Sequence, residues 1–222
     1  MHASNPGIDA TPVNLNAATK TKENLDNGNT IKRYDVVRDV YLTTYEYEGG
    51  HKWKIPAGEP ALYWQDIGDG FSNQVNLRAQ FIRTNKLDET QLPELFLAET
   101  TCNRFGNLSF QFNLIPAKIS FVLKSEGEAG LTFNDTELKS ATIMLPDYKN
   151  GYTLDKGVFT QKDGTGNVKV DNDQNKGRRA LIIPQTKSGV LALVTINSVE
   201  YEVKATTAIE FEACQHTVIT IN

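Results

Sequence analysis

The stretch LSFQFNLIPAKISFVLK, Leu108 to Lys124, decides the fold class. Phe110, Phe112 and Leu114 alternate with Gln111 and Asn113, the period of two that buries one face of a strand. Pro116 interrupts the pattern, because proline has no N–H to give to a strand ladder. Alternation resumes with Ile119, Phe121 and Leu123 against Lys118, Ser120 and Lys124, while Val122 makes this second strand apolar on both faces. Two strongly apolar strands about a bend, near the middle of the chain, predict the opening of a second domain. The expected organisation is residues 1–34 as an N-terminal segment, 35–106 as a first β domain and 107–222 as a second, joined near Asn103 to Asn107.

Outward from this stretch the same signals repeat. VNLRAQFI, residues 75–82, puts Val75, Leu77, Ala79 and Phe81 on one face. Residues 36–47 have the β-branched and aromatic composition of a strand, ended by Gly49-Gly50. Short strands are expected at 53–55, 62–64 and 95–98, with LDETQLPE as a loop. Downstream, strands are predicted at 138–145 (ended by Pro146-Asp147), in a small hairpin about 155–157, and at 180–183, 190–196, 201–203 and 217–221. Residues 171–179 read as a charged loop. In the first 34 residues only Val13, Leu15 and Ala17 alternate, which reads as a loose tail with one weak strand. A dozen or more short strands and no convincing amphipathic helix make the chain all-β, with enough strands for one β-sandwich in each half.

The 222 residues fit two small domains or one large one. Hydrophobic content of 39% and charged content of 23% are ordinary for a soluble globular protein. A net charge of −4 is too small to point to any partner, and the lack of an obviously basic face argues against nucleic acid. No apolar run is long enough to span a membrane. The start, MHASNPGID, lacks the apolar core of a signal peptide, but a Met-His before a polar segment also fits a chain whose export signal has been removed. Cys102 and Cys214 lie far apart and outside any C-x-x-C spacing, so one disulfide and two free thiols both remain open.

Catalytic signatures are missing: there is no G-x-S-x-G, no H-E-x-x-H and no glycine-rich phosphate loop, and His2, His51 and His216 are isolated from one another. The expectation is a protein that is not an enzyme and needs no cofactor or metal. DNDQNKG, residues 171–177, invites a calcium reading, but an EF-hand loop needs Gly at its sixth position and Glu at its twelfth, where Lys176 and Ile182 stand. A solvated hairpin loop is the better reading. Trp53, Tyr63 and Trp64 fit a sugar-stacking platform, although such residues in strands are more often core. The triplets at Asn107 and Asn134 match a glycosylation acceptor that matters only in a eukaryotic secretory pathway.

Laid out in this order, the chain resembles the fimbrillin family of Bacteroidales, the Mfa-like pilus subunits, over most of its length. TPVNLNAATKTK resembles the family's opening strand and the basic residue that follows it. Leu62-Tyr63-Trp64 followed by VNLRAQFI resembles its Tyr-Trp pair before an alternating strand. ELFLA, residues 94–98, resembles its Asp-Leu-x-x-Ala segment, and FNLIPAKISF its F-x-H-x-x-(S/A)-K-(I/V) stretch, with Leu114 in place of the histidine. LIIPQT, residues 181–186, resembles its Leu-x-x-Pro-Gln segment, and FEACQHTVITI its closing strand, with Cys214 in place of glycine.

The resemblance implies two tandem transthyretin-like β-sandwich domains and a structural role in a fimbria or pilus, contributing to cell adhesion. It implies an exported lipoprotein of the outer membrane and cell surface, tied to the membrane only by a lipid on a cysteine outside these residues. It implies a plug strand, Val13, Leu15 and Ala17, that a surface protease frees by cutting after a basic residue. Lys22 matches that site, and Arg33 is the alternative if the protease demands arginine. The implied partners are other pilin subunits, joined by donor-strand exchange, and contacts with host proteins or glycans. The competing expectation is a surface carbohydrate-binding β-sandwich lipoprotein.

Overall fold

The computed structural model describes residues 15–19, 30–36, 39–49, 52–68, 72–83, 90–106, 108–124, 132–173 and 177–221, and its regular secondary structure is nearly all strand. The chain divides into two units. The first holds residues 1–83, 95–113 and 154–159, and the second holds 84–94, 114–153 and 160–222.

The first unit contains a seven-stranded sheet. Its strands are β1 (Leu15–Thr19), β2 (Thr30–Asp35), β3 (Val40–Gly49), β4 (Lys52–Lys54), β5 (Gln74–Ile82), β6 (Leu95–Asn103) and β7 (Leu108–Leu114), in the order β1-β7-β6-β5-β2-β3-β4. The alternation read from the sequence is the burial pattern of β5 and β7: Val75, Leu77, Ala79 and Phe81 are buried, as are Leu108, Phe110 and Phe112. Phe81 stacks on Phe96 with ring centroids 5.3 Å apart and meets Phe112 edge-on at 6.2 Å. Such ring pairs add about 0.5–1.5 kcal/mol beyond the area they bury.

Three expectations change here. β2 was expected to belong to a loose tail, yet it sits between β3 and β5, because Ile31 and Arg33 both turn inward. The expected strand at 62–64 is a short 3-10 turn, Trp64–Asp66, whose Asp66 carboxylate accepts the Tyr63 N–H at 3.3 Å. Arg104 braces that turn by donating to the carbonyls of Trp64 and Ile67. The join also moves. Residues 103–106 form a turn closed by Gly106 N–H to Asn103 O at 3.0 Å, and β7 returns beside β6 in the same sheet. The main body of the first unit runs on to Asn113, where Ile115 and Pro116 end the pairing of β7.

The second unit contains β8 (Ala117–Leu123), α1 (Asp135–Ser140), β9 (Thr142–Lys149), β10 (Tyr152–Asp155), β11 (Val158–Gln161), β12 (Thr165–Lys169), β13 (Asp171–Asp173), β14 (Gly177–Ile182), β15 (Gln185–Ile196), β16 (Val199–Phe211) and β17 (His216–Ile221). Two four-stranded sheets, β12-β9-β15-β16 and β13-β14-β8-β17, share one core. Ile119 and Phe121 of β8 and Ile182 of β14 meet Ile143 and Leu145 of β9 and Val194 of β15 there. Two sheets on one core is sandwich packing. β10 and β11 pair as a separate hairpin whose turn, 154–159, belongs to the first unit. There Lys156 Nζ lies 2.6 Å from Asp39, and Gly157, at φ +75°, comes so close to Tyr34 that a Cβ would sit 3.1 Å from its ring.

The expected strand at 138–145 is in fact helix followed by strand. Asn134 Oδ1 accepts the N–H of Thr136 and Glu137 at 2.9 and 3.0 Å, and Glu137 Oε2 accepts the Asn134 N–H at 2.8 Å. This reciprocal cap satisfies the first orphan donors and starts α1 where apolar spacing alone reads strand. Asn134→Ala is expected to cost about 1 kcal/mol of stability, read from the shift of the urea midpoint. β9 then runs through Pro146 and Asp147 rather than stopping there. The two lie in a bulge where the register with β12 shifts between Gly166 and Val168, and Asp147 takes φ +56°. The expected charged loop at 171–179 is mostly the β13–β14 hairpin, with Asn172 opposite Arg178.

A segment from the middle of the first half completes this unit. Gln91, 2% exposed, donates to Lys169 O at 2.7 Å and accepts from Leu181 N–H at 3.3 Å, while Leu92 N–H donates to Leu181 O at 3.0 Å. Gln185 plays the matching role inside the Pro-Gln segment. It accepts the Lys149 N–H at 2.9 Å and donates to Ile183 O at 3.0 Å.

Candidate functional site

β1 forms one end of the seven-stranded sheet and pairs in parallel with β7. Leu15 stands opposite Leu108, Ala17 opposite Phe110 and Thr19 opposite Phe112. The strand to which it adds is the most apolar of the unit. Leu108, Phe110 and Phe112 are fully buried, and the rings of Phe110 and Phe112 lie 6.1 Å apart. An edge of backbone N–H and C=O groups above a row of buried aromatic side chains is a surface made to take an added strand.

The expected site residues separate on this frame. Leu15 and Ala17 lie in β1, whereas Val13 and Lys22 lie outside the described residues. Arg33 is in β2, paired to Thr43 on one side and Ala79 on the other, and is fully buried. That position corrects the alternative processing site, since a protease needs an extended, accessible backbone and here finds a central strand.

What the sequence reading missed is that Arg33 belongs to this site. Its guanidinium carbon lies 5.0 Å from the ring centroid of Tyr45 and 5.8 Å from that of Phe110, positions from which an aromatic face attracts a cation. Burial pulls its pKa down to about 10, with Tyr45 and Cys102 opposing that shift. The group therefore still carries its charge at neutral pH. Burial in turn pushes the Cys102 thiol up, against the pull of Arg33. The signal that could have found Arg33 is its place two residues after Ile31 in TIKRYD, on the inward parity of a strand.

The other candidates do not assemble. Trp64 is 2% exposed and packed edge-on to Phe105 at 6.1 Å, so it is core and offers no face to a sugar. The side chain of Trp53 and the whole of His51 are outside the described residues. Among the described residues, no group of three His, Cys, Asp or Glu could hold a metal ion. Cys102 and Cys214 are both free thiols, and Cys214, at φ +64°, donates to Leu114 O at 2.9 Å. An open cleft of about 580 Å³ in the second unit is lined by Lys169, Asn172, Thr195 and Glu200 among others, with no aromatic side chain. No described helix is long and apolar enough to cross a membrane.

No protein-family model and no curated protein sequence matches the chain. Solved structures do. A "putative cell adhesion protein" of Bacteroides uniformis superposes with a TM-score of 0.66 at 17% identity, over 95% of this chain and 94% of that one. A protein of the same name from Bacteroides thetaiotaomicron gives 0.60 at 13% identity, over 96% and 93%. A fimbrial protein of Bacteroides ovatus gives 0.50 at 12% identity, over 97% of this chain and 49% of that one. At these identities the likeness is one of fold, and it extends over nearly the whole chain.

Proposed function

We propose that this chain is a structural subunit of a bacterial surface fimbria, exported as a lipoprotein to the outer membrane and assembled by protease-triggered strand exchange. Its two units are read as tandem transthyretin-like sandwiches. The observation that carries the reading is the first sheet's edge: a five-residue strand, β1, added in parallel over the buried aromatic residues of β7. The fold shared with proteins named for cell adhesion and fimbriae supports it. β1 is the plug, the polar stretch at 20–29 with Lys22 is where a surface protease cuts, and a strand from another pilin subunit takes the vacated place. Host proteins or glycans are then met by the assembled fibre.

The energetics suit a strand that stays until it is replaced. About five apolar side chains gain ~8–15 kcal/mol on burial, at ~1.5–3 kcal/mol each. Ordering ~10 residues costs ~10–20 kcal/mol. The two nearly cancel, so ladder hydrogen bonds and a preformed groove decide the sign.

The test is a chain cut at a protease site engineered within residues 20–29. Its β1 is expected to remain bound, and a labelled peptide copying residues 11–20 is expected to exchange into it, seen by sizing and mass spectrometry. A cut chain that takes up no peptide at any temperature below unfolding would overturn the reading.

A further inference from the structure

We infer that the outer face of the sheet β13-β14-β8-β17 is a docking surface for an acidic, extended peptide segment, whose carboxylate is held by Lys118 and Arg179 and whose apolar side chains lie on Val122 and Val218. The surface lies within the second unit and is independent of the strand-exchange reading.

Strand parity builds the face. Ala117, Ile119 and Phe121 of β8 and Ala180 and Ile182 of β14 point into the core, so Lys118, Ser120, Val122 and Arg179 point outward. The ladder gathers these groups. Ser120 stands between Arg179 on β14 and Val218 on β17, and Lys118 is opposite His216. Neighbouring strands lie about 4.8 Å apart, so the cluster spans two strand spacings. At its centre His216 Nε2 lies 2.8 Å from Ser120 Oγ.

The charges here lack partners. Lys118 and Arg179 are half-buried, and neither is in an ion pair among the described residues. Asp171 stands opposite Arg179 on β13 without bridging to it. Arg179 Nε is buried and has no hydrogen-bond partner among the described residues. Glu212, in the turn before β17, is bonded to Gln215. Burial, and then Lys118, hold the His216 imidazole below its usual range, which leaves Lys118 and Arg179 as the cations of this face at neutral pH. Two partly desolvated cations beside a serine hydroxyl receive a carboxylate through charge-assisted hydrogen bonds.

The rest of the face shows what kind of molecule carries that carboxylate. Val218, 55% exposed, is opposite Ser120, and Val122, 46% exposed, is two residues along β8 on the same side. They offer cover to apolar side chains next to the acid. A sugar ring stacks on an aromatic face, and no Tyr, Trp or Phe occupies an outward position of these four strands.

The experiment uses the full chain and two labelled peptides, Gly-Glu-Val-Glu-Val-Gly and the same sequence with Gln for each Glu, followed by fluorescence anisotropy at low salt. The Glu peptide is expected to bind about tenfold more tightly than the Gln peptide, the effect of one hydrogen bond to a charged group. Lys118→Gln combined with Arg179→Gln is expected to remove that preference, and Val218→Asn to weaken both peptides. In the unaltered chain the imidazole NMR signal of His216, assigned with a His216→Gln chain, is expected to titrate at higher pH when the Glu peptide is bound, because a nearby carboxylate favours the charged ring. That measurement decides the matter if the double variant does not fold. Equal binding of the two peptides, no saturable binding of the Glu peptide, or a His216 signal that it leaves unmoved would overturn the inference. Polygalacturonate that displaces the Glu peptide far below an equal carboxylate concentration would overturn it too, by assigning the face to an acidic glycan.

Discussion

Phe112→Ala is expected to destabilise the first unit by about 3–5 kcal/mol, the usual loss for a buried phenylalanine cut back to a methyl group. The side chain is fully buried and touches the rings of both Phe81 and Phe110, so the cavity opens in the middle of an aromatic row that cannot close around it. For a unit of this size each kcal/mol moves the midpoint by about 4–8 °C, so calorimetry should show a fall of more than about 12 °C. Only one transition should move, because the second unit has its own core around Ile119, Leu145 and Val194. Two transitions that shift together would show that the two cores unfold as one.

Gln185→Leu is the second large effect. The substitution nearly keeps the volume and removes the hydrogen bonds of the amide, including a long one to Lys149 O at 3.5 Å. The half-buried Lys149 N–H and the buried Ile183 carbonyl then lose their partner. A buried group left unpaired costs about 1–3 kcal/mol, so the loss is expected to be about 2–6 kcal/mol. Urea unfolding should show a lower midpoint with an unchanged slope. Recovery with Gln185→Glu is not expected, because a carboxylate can accept from Lys149 but has no N–H to give Ile183.

Legibility in the sequence followed how each residue is used. β5 and β7 bury one face each, so period two in VNLRAQFI and LSFQFNL was sufficient to find them. β2 buries a charged side chain, and TIKRYD therefore looked like tail. In α1 the local cap of Asn134 and Glu137 outweighed an apolar spacing that suited a strand, and the cap was legible in N-D-T-E. The Pro-Gln segment was visible as a motif, but its reason, an amide serving two backbone groups, depends on pairings far along the chain. For the site, Leu15 and Ala17 could be read as a strand, while nothing local said that it runs parallel to β7. Arg33 was noticed for its charge and assigned to the surface, since burial of an arginine depends on neighbours brought from β3 and β7.

The exchange of segments between the units also sets an order of events during synthesis. The chain passes from one unit to the other at 83/84, 94/95, 113/114, 153/154 and 159/160. The main body of the first unit is complete at residue 113, yet its last piece, with Lys156 set against Asp39, ends only at 159. A ribosome adding about 5–20 residues per second takes about 2–9 s to cover that interval. Through that time Gln91 has been made, while Lys169 and Leu181, which it joins, have not. During synthesis each unit therefore waits for a part made with the other, and neither can be completed from a contiguous half of the chain.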